Sequence, residues 1–239
     1  MKHLNHCFSL LLTLLITFTL QAQTADEIIS KYIDAMGGKD KWATVTSLRL
    51  ENTVDIGGNS APSTIVISNG KGYRNDADFG GQKTVQVYTS KSGWTVNPFI
   101  GISEPQAMPD AQYKGGMESI YIAPLLDYAA IGLKVETAGQ EKVGNVNAHK
   151  LKVTNAGGVV SYYYFDPTSY YIIQTTNTAD FGGQSIEVKM NYSDYKKTDF
   201  GIVIPFTTDV DFGGQFAMNL KTNKVEFNGA VDPTIFDMK

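Results

Sequence analysis

The sequence "DFGGQ" occurs at residues 78–82, 180–184 and 211–215, and a near copy, "DIGGN", occupies residues 55–59. Paired glycines supply the positive φ angles that tight hairpin turns require, and Asp, Asn and Gln suit the shoulders of such turns. The segment after the second copy, "SIEVKMNY" (185–192), alternates. Ile186, Val188, Met190 and Tyr192 fall on one face; Glu187, Lys189 and Asn191 fall on the other. That is the period of an antiparallel strand with one dry and one wet face. The repeat therefore reads as a hairpin tip used three or four times. In the third copy, Phe212 opposite Phe216 places Val210 against Met218 and Thr208 against Leu220, a three-residue loop. The second copy fits an even loop, with Ala179 opposite Ile186 and Ile173 opposite Tyr192.

Outward from these tips, the period of two extends over most of the chain from Leu48. Ile65 and Ile67 share a face, as do Val85 and Val87. Two stretches depart from it. Near the start, Thr24 and Glu27 form a capping box ahead of Ile28, Ile29, Tyr32, Ile33 and Met36 at helical spacing, and Gly37-Gly38 ends the helix. Trp42 is expected to pack beneath a short following turn. The second departure, residues 97–133, is punctuated by Pro98, Pro105, Pro109, Gly115 and Gly116, and one or two short helices with loops are expected there. Residues 1–22 combine Lys2, the apolar run 8–20 and a small residue at Ala22, the pattern of a secretory signal peptide. A single domain is expected over residues 23–239.

The chemistry legible in this chain is sparse. Cys7 is the only cysteine and lies in the leader, so residues 23–239 have no thiol nucleophile, thiolate ligand or disulfide. A net charge of −4 with two arginines, Arg49 and Arg74, argues against nucleic acid as a partner. His149 is the one histidine outside the leader and sits in a strand pattern. No nucleophile elbow, zinc-protease helix or phosphate loop occurs, and "DFG" lacks every other protein-kinase element. Asp76/Asp78 and Asp209/Asp211 sit two apart and are the weak candidates for a cation. No catalytic residue, metal or cofactor is assigned. Large apolar residues are abundant, as in "SYYYFDPTSYYIIQ" (161–174). They fit either a packed core or a sheet curled around an apolar cavity.

Five segments together resemble the LolA/LolB family of periplasmic lipoprotein carriers, in its Bacteroidetes-type form. They are "ADEIISKYIDAMGGKDKW" (25–42), "KSGWTVNPFIG" (91–101), "NVNAHKLKV" (145–153), "SDYKKTDFGIVIPFTTD" (193–209) and "KVEFNGAVDPTIFDMK" (224–239). The resemblance implies an α+β fold: an incomplete, half-open antiparallel β-barrel of about eleven strands with short helices as a lid. It implies a soluble, monomeric periplasmic carrier, not an enzyme. Its ligand would be lipoprotein acyl chains or another lipid, taken from an inner-membrane donor towards an outer-membrane acceptor. The cavity wall would include Trp94, Phe99, Met190, Tyr192, Phe206, Met218 and Leu220. The lid would carry Ile29, Ile33, Met36, Leu125 and Leu126. Where the family ties its lid with an Arg-Pro pair, this chain has Gly70 and Lys71, so Lys71 and Arg74 are the candidate latch. Two other readings remain: a non-catalytic sensor or interaction module with a filled core, and a hydrolase of envelope glycans using two carboxylates.

Overall fold

The computed structural model describes residues 23–181 and 184–238; the leader, the tip of the second DFGGQ copy and Lys239 lie outside the described residues. Among the described residues, thirteen strands form one antiparallel sheet. They are β1 (Ser47–Ile56), β2 (Asn59–Ser68), β3 (Gly72–Phe79), β4 (Gln82–Thr89), β5 (Gly93–Asn97), β6 (Ile102–Ala107) and β7 (Lys134–Val143). The rest are β8 (Val146–Thr154), β9 (Val160–Phe165), β10 (Ile172–Phe181), β11 (Gln184–Lys197), β12 (Val203–Phe212) and β13 (Ala217–Phe227). Their order is β6-β5-β4-β3-β2-β1-β13-β12-β11-β10-β9-β8-β7. The first and last long strands, β1 and β13, meet in the middle. β6 and β7 are the two unjoined edges, so the barrel is open.

The count exceeds the eleven expected. Part of the excess is β6, which falls in the stretch read as helices and loops. Its Pro105 lacks an N–H, and the outermost position in a sheet is where that lack is tolerated.

The repeated pentapeptide is a turn device. In each fully described copy the aspartate accepts a hydrogen bond from the second glycine of the tip: Asp55 from Gly58 at 3.1 Å, Asp78 from Gly81 at 2.6 Å, and Asp211 from Gly214 at 2.7 Å. Gly80 and Gly81 have φ of +64° and +95°, conformations that side chains resist. The copies differ in loop length as their flanks dictate. Phe79 pairs with Gln82 across two residues. The N–H of Phe212 bonds to the Phe216 carbonyl across three, with Val210 opposite Met218 and Thr208 opposite Leu220. Ala179 stands opposite Ile186, and that register runs to Gln174 opposite Asn191. Because neighbouring strands alternate in direction, β1, β3, β10 and β12 run the same way. The described tips after β1, β3 and β12 share one rim.

Helix α1 (Ala25–Ala35) starts at Thr24, where both halves of the capping box are present. Such a cap contributes about 1 kcal/mol. Its buried side is Ile28, Ile29 and Ile33. The short α2 (Lys39–Trp42) follows, and the Trp42 indole N–H donates to the Met36 carbonyl at 3.2 Å. The same carbonyl accepts from the N–H of Val203, tying the helix end to the start of β12. Gly37 permits this approach: a Cβ there would lie 3.0 Å from the Gly201 carbonyl oxygen, and φ is +119°.

The sheet has two differently covered faces. The inner face receives α1, α2 and residues 120–133, around Leu151, Phe165, Ile202 and Ile204. The outer face of β3–β5 is covered by the C-terminal segment, whose Phe236 packs on Val87 and Trp94.

Candidate binding face

Alternation fixes which residues point inward. On β1, Leu50, Asn52, Val54 and Ile56 share the inner side, while Arg49 and Glu51 pair on the outer side. Through the strand registers, one inner row reads Met190, Val210, Met218, Ile56 across β11, β12, β13 and β1. The next row reads Tyr192, Thr208, Leu220, Val54. Ile186, Val188 and Val210 are buried in this region, with Met190, Phe212, Met218 and Leu220 half-buried against them. Every member of that cluster comes from a strand. The inner face is therefore apolar beyond the ground that α1 covers.

The residues expected as lid are packed on the inner face. Ile29, Ile33, Met36 and Leu125 are buried against Leu151, Phe165 and Ile204, with Leu126 and Phe206 packed around them. A void of about 50 Å³ remains between Tyr32, Ile33 and Trp42 on one side and residues 123–126 on the other. Small-molecule pockets are usually about 300–1,000 Å³, so this void is too small to hold such a ligand as it stands. A larger void of about 170 Å³ lies elsewhere, at Ser47, Arg49, Val231 and Ile235 under the C-terminal segment.

A second covering element crosses the mouth. Helix α3 (Asp110–Gly116) and the 3₁₀ turn Met117–Ile120 bridge the two arms of the half-barrel. On one arm, the Tyr113 hydroxyl donates to the Thr89 carbonyl at 3.1 Å, and Gly116 lies against the Tyr88 ring so closely that a Cβ would overlap it. On the other arm, the Asn155 amide donates to the Lys114 carbonyl at 2.7 Å and to Glu118 Oε2 at 2.8 Å. The Asn155 oxygen accepts from the N–H groups of Gly157 and Val159, which shapes the β8–β9 turn around it. Burial raises the Glu118 carboxyl above its ordinary range, and the Asn155 hydrogen bond only partly offsets this. Glu118 acts electrostatically on both Tyr88 and Tyr163, one from each arm.

Beneath α1, burial first, and then the neighbouring Tyr192, push the Tyr32 and Tyr163 phenols well above their usual range. The Tyr192 hydroxyl shares a 3.1 Å hydrogen bond with Thr175. These phenols stay protonated in an otherwise apolar interior.

Several candidates lie elsewhere. Trp94 pairs with Val87 and faces outward, and its indole N–H donates to the Phe236 carbonyl at 2.9 Å. Phe99 is exposed at the β5–β6 turn, edge-on to Phe79. Neither belongs to the inner wall, because the dry outer face and the rim also use aromatic residues. Arg74 is likewise outward. It forks onto Asp76, donates to the Ile235 carbonyl at 2.7 Å and lies over the Trp94 ring. It fastens the C-terminal segment and does not reach the helices of the inner face. Lys71 is exposed. Its turn is tied to residues 120–122 by other groups: the Gly70 N–H donates to the Ile120 carbonyl, and the Ile122 N–H donates to the Asn69 side-chain oxygen. Sequence reasoning missed Asn155 and Glu118. The turn-forming run Asn155-Ala156-Gly157-Gly158 was the available signal.

The carboxylate pairs proposed for a cation have other partners: Asp76 holds Arg74, Asp209 accepts from Asn219, and Asp78 and Asp211 close turns. His149 stacks on Tyr170, 6.0 Å between ring centres. Among the described residues no cluster of three or more metal-ligating side chains occurs, and no helix is long and apolar enough to cross a membrane.

No family model matches this sequence, and no curated protein does. Solved structures do match in fold. A putative outer membrane lipoprotein-sorting protein domain from Vibrio parahaemolyticus is 11% identical, covering 88% of this chain and 95% of that one, with a TM-score of 0.56. A LolA superfamily protein from Nitrosomonas europaea is 10% identical, covering 90% and 98%, with a TM-score of 0.59. A DUF1329 family protein from Desulfovibrio piger is 14% identical, covering 88% and 97%, with a TM-score of 0.56.

Proposed function

We propose that this chain, a half-barrel of the LolA-like fold, is a periplasmic binding protein for lipoprotein acyl chains or another lipid, which it carries towards the outer membrane. One observation carries the reading: the strand-only apolar row of Met190, Val210, Met218 and Ile56, on the same inner face as the core beneath α1 but a separate cluster from it. A protein with a merely filled core has no need of half-buried methionines on an inner face beyond its helix. Methionine is unbranched and polarisable, and it conforms to apolar partners of irregular shape. Met190, Tyr192, Phe206, Met218 and Leu220 form the proposed wall. Ile29, Ile33, Met36, Leu125 and Leu126 form the proposed lid.

Magnitudes favour exchange of lid for ligand. Four buried lid side chains contribute about 6–12 kcal/mol at ~1.5–3 each. One saturated chain of about 16 methylenes gains about 13 kcal/mol on leaving water, at ~0.8 each. The two are comparable, so a chain can replace α1 on the inner face without either state becoming irreversible. Binding of this kind needs no covalent step. Donor and acceptor proteins are expected partners of a carrier, and the monomer is the expected carrying form.

The test is displacement of a fluorescent fatty-acid probe by a synthetic triacylated lipopeptide. Displacement that is lost in Met190→Asp and Met218→Asp, with the fold retained by circular dichroism, supports the reading. Failure of the wild-type protein to take up either compound overturns it.

A further inference from the structure

The two apolar clusters of the inner face are separated by polar side chains. Thr222 and Asn52 face each other across β13 and β1, and Ser63 stands opposite Asn52 on β2. Ser63 donates to the Asn75 oxygen at 2.8 Å, and Thr222 donates to the Asn52 oxygen at 3.0 Å. Farther along, Thr175 and Tyr192 share their hydrogen bond. Asn52 is the exception. It is only 4% exposed, and its amide nitrogen is sealed from solvent without a partner. Turning the amide over does not help, because Thr222 then satisfies the nitrogen and strands the oxygen.

An unpaired buried amide is a standing penalty that an apolar side chain of the same shape would not carry. It also sits beside the irregularity where β13 holds one extra residue between Lys224 and Thr222, and such bulges are used to aim side chains at sites. The neighbours Leu50 and Val54 show that this face accepts apolar residues readily.

We propose that the Asn52 amide is a hydrogen-bond donor for a carbonyl oxygen brought by the ligand, the ester or amide carbonyl that joins an acyl chain to its head. The inference rests on the acyl-chain reading and deepens it: the ligand is an amphiphile seated by its linkage, not a bare hydrocarbon. The hydrocarbon lies along Met190 and Met218, and the carbonyl lies at the polar belt. In the closed protein the donor is shut in and unsatisfied. When the lid parts for a ligand, the carbonyl meets it, so loading relieves a penalty that the empty state carries.

The test compares two ligands that differ by this one group, monopalmitoylglycerol and its ether analogue hexadecylglycerol, in competition with a fluorescent fatty-acid probe. The wild-type protein is expected to prefer the ester by about tenfold, the equivalent of one hydrogen bond of about 1.4 kcal/mol. Asn52→Leu is expected to bring that preference close to one, leave the ether affinity unchanged and raise Tm; Asn52→Val serves if the leucine variant folds poorly. Equal affinities in the wild-type protein, or a preference untouched by both variants, overturns the assignment of Asn52 while leaving the acyl-chain site standing. Displacement by neither lipid overturns both.

Discussion

The Asn155 amide nitrogen lies 2.8 Å from Oε2 of Glu118 and spans the opening between the β8–β9 turn and the 3₁₀ turn of the covering segment. Replacing Asn155 by Ala removes the donor, leaves Glu118 buried without it and empties the β8–β9 turn of its organising oxygen. A loss of about 1–3 kcal/mol is expected. The accompanying change is faster probe uptake, measured by stopped-flow fluorescence. Unchanged uptake with full loss of stability would make Asn155 a turn residue only.

The same carboxyl sets a pH dependence. Burial raises the Glu118 pKa in the folded protein above the ordinary 4.5, despite the Asn155 hydrogen bond. Between these two values the folded, closed form binds more protons than the unfolded one, so its stability falls as pH rises through that window. The closed covering segment is thus tightest below about pH 4.5 and loosens above the raised value. Hydrogen exchange of the amides of residues 110–120 as a function of pH is the measurement. Glu118→Gln should flatten the profile, and a slope that survives it would place the titration elsewhere.

Two adjacent glycines make a paired test of the covering segment. At Gly116 a Cβ would overlap the Tyr88 ring, whereas at Gly115 it meets nothing within 4 Å. Gly116→Ala should therefore destabilise by about 1–3 kcal/mol through overpacking, and Gly115→Ala should be neutral or slightly stabilising. Thermal melts of both variants decide it. Equal effects would mean that helix propensity, not the Tyr88 contact, governs this stretch.

Arg74 holds the C-terminal segment on the face opposite the lid. Arg74→Met should cost about 1.5–3 kcal/mol, since its hydrogen bonds involve charged groups. Proteolysis near residue 235 should accelerate while lipid affinity stays unchanged. A large loss of lipid affinity at constant fold would return Arg74 to the latch role.

At the rim, Asp78→Ala and Asp211→Ala each remove one turn hydrogen bond, and each should cost about 0.5–1.5 kcal/mol. For a chain of this size that is a Tm shift of about 2–4 °C per kcal/mol.

Much of the fold was legible because it was written locally. The Gly-Gly tips, the capping box at Thr24 and the alternation through Met190 and Tyr192 are each decided by neighbours in sequence. So is the third tip's register from Phe212 to Leu220. The same alternation put Met190 and Tyr192 on one face, while the full set of wall candidates came from the family resemblance. What escaped was long-range. Trp94 and Arg74 carry the composition of a wall and a latch, but both are engaged by the C-terminal segment, Trp94 by Phe236 at 142 residues' remove and Arg74 by Ile235 at 161. β6 was hidden by Pro105, whose tolerance depends on there being no further strand beside it. The Asn155–Glu118 link joins two loops 37 residues apart and leaves no periodic trace.

The central claim is that the inner face holds lipid, and native mass spectrometry of the protein purified gently from its own envelope fraction tests it most directly. The account predicts a population carrying an added mass, released by organic extraction as an acylated peptide or lipid and absent from Met190→Asp. A single apo mass, with no uptake of added lipopeptide at any concentration that leaves the protein folded, would contradict it.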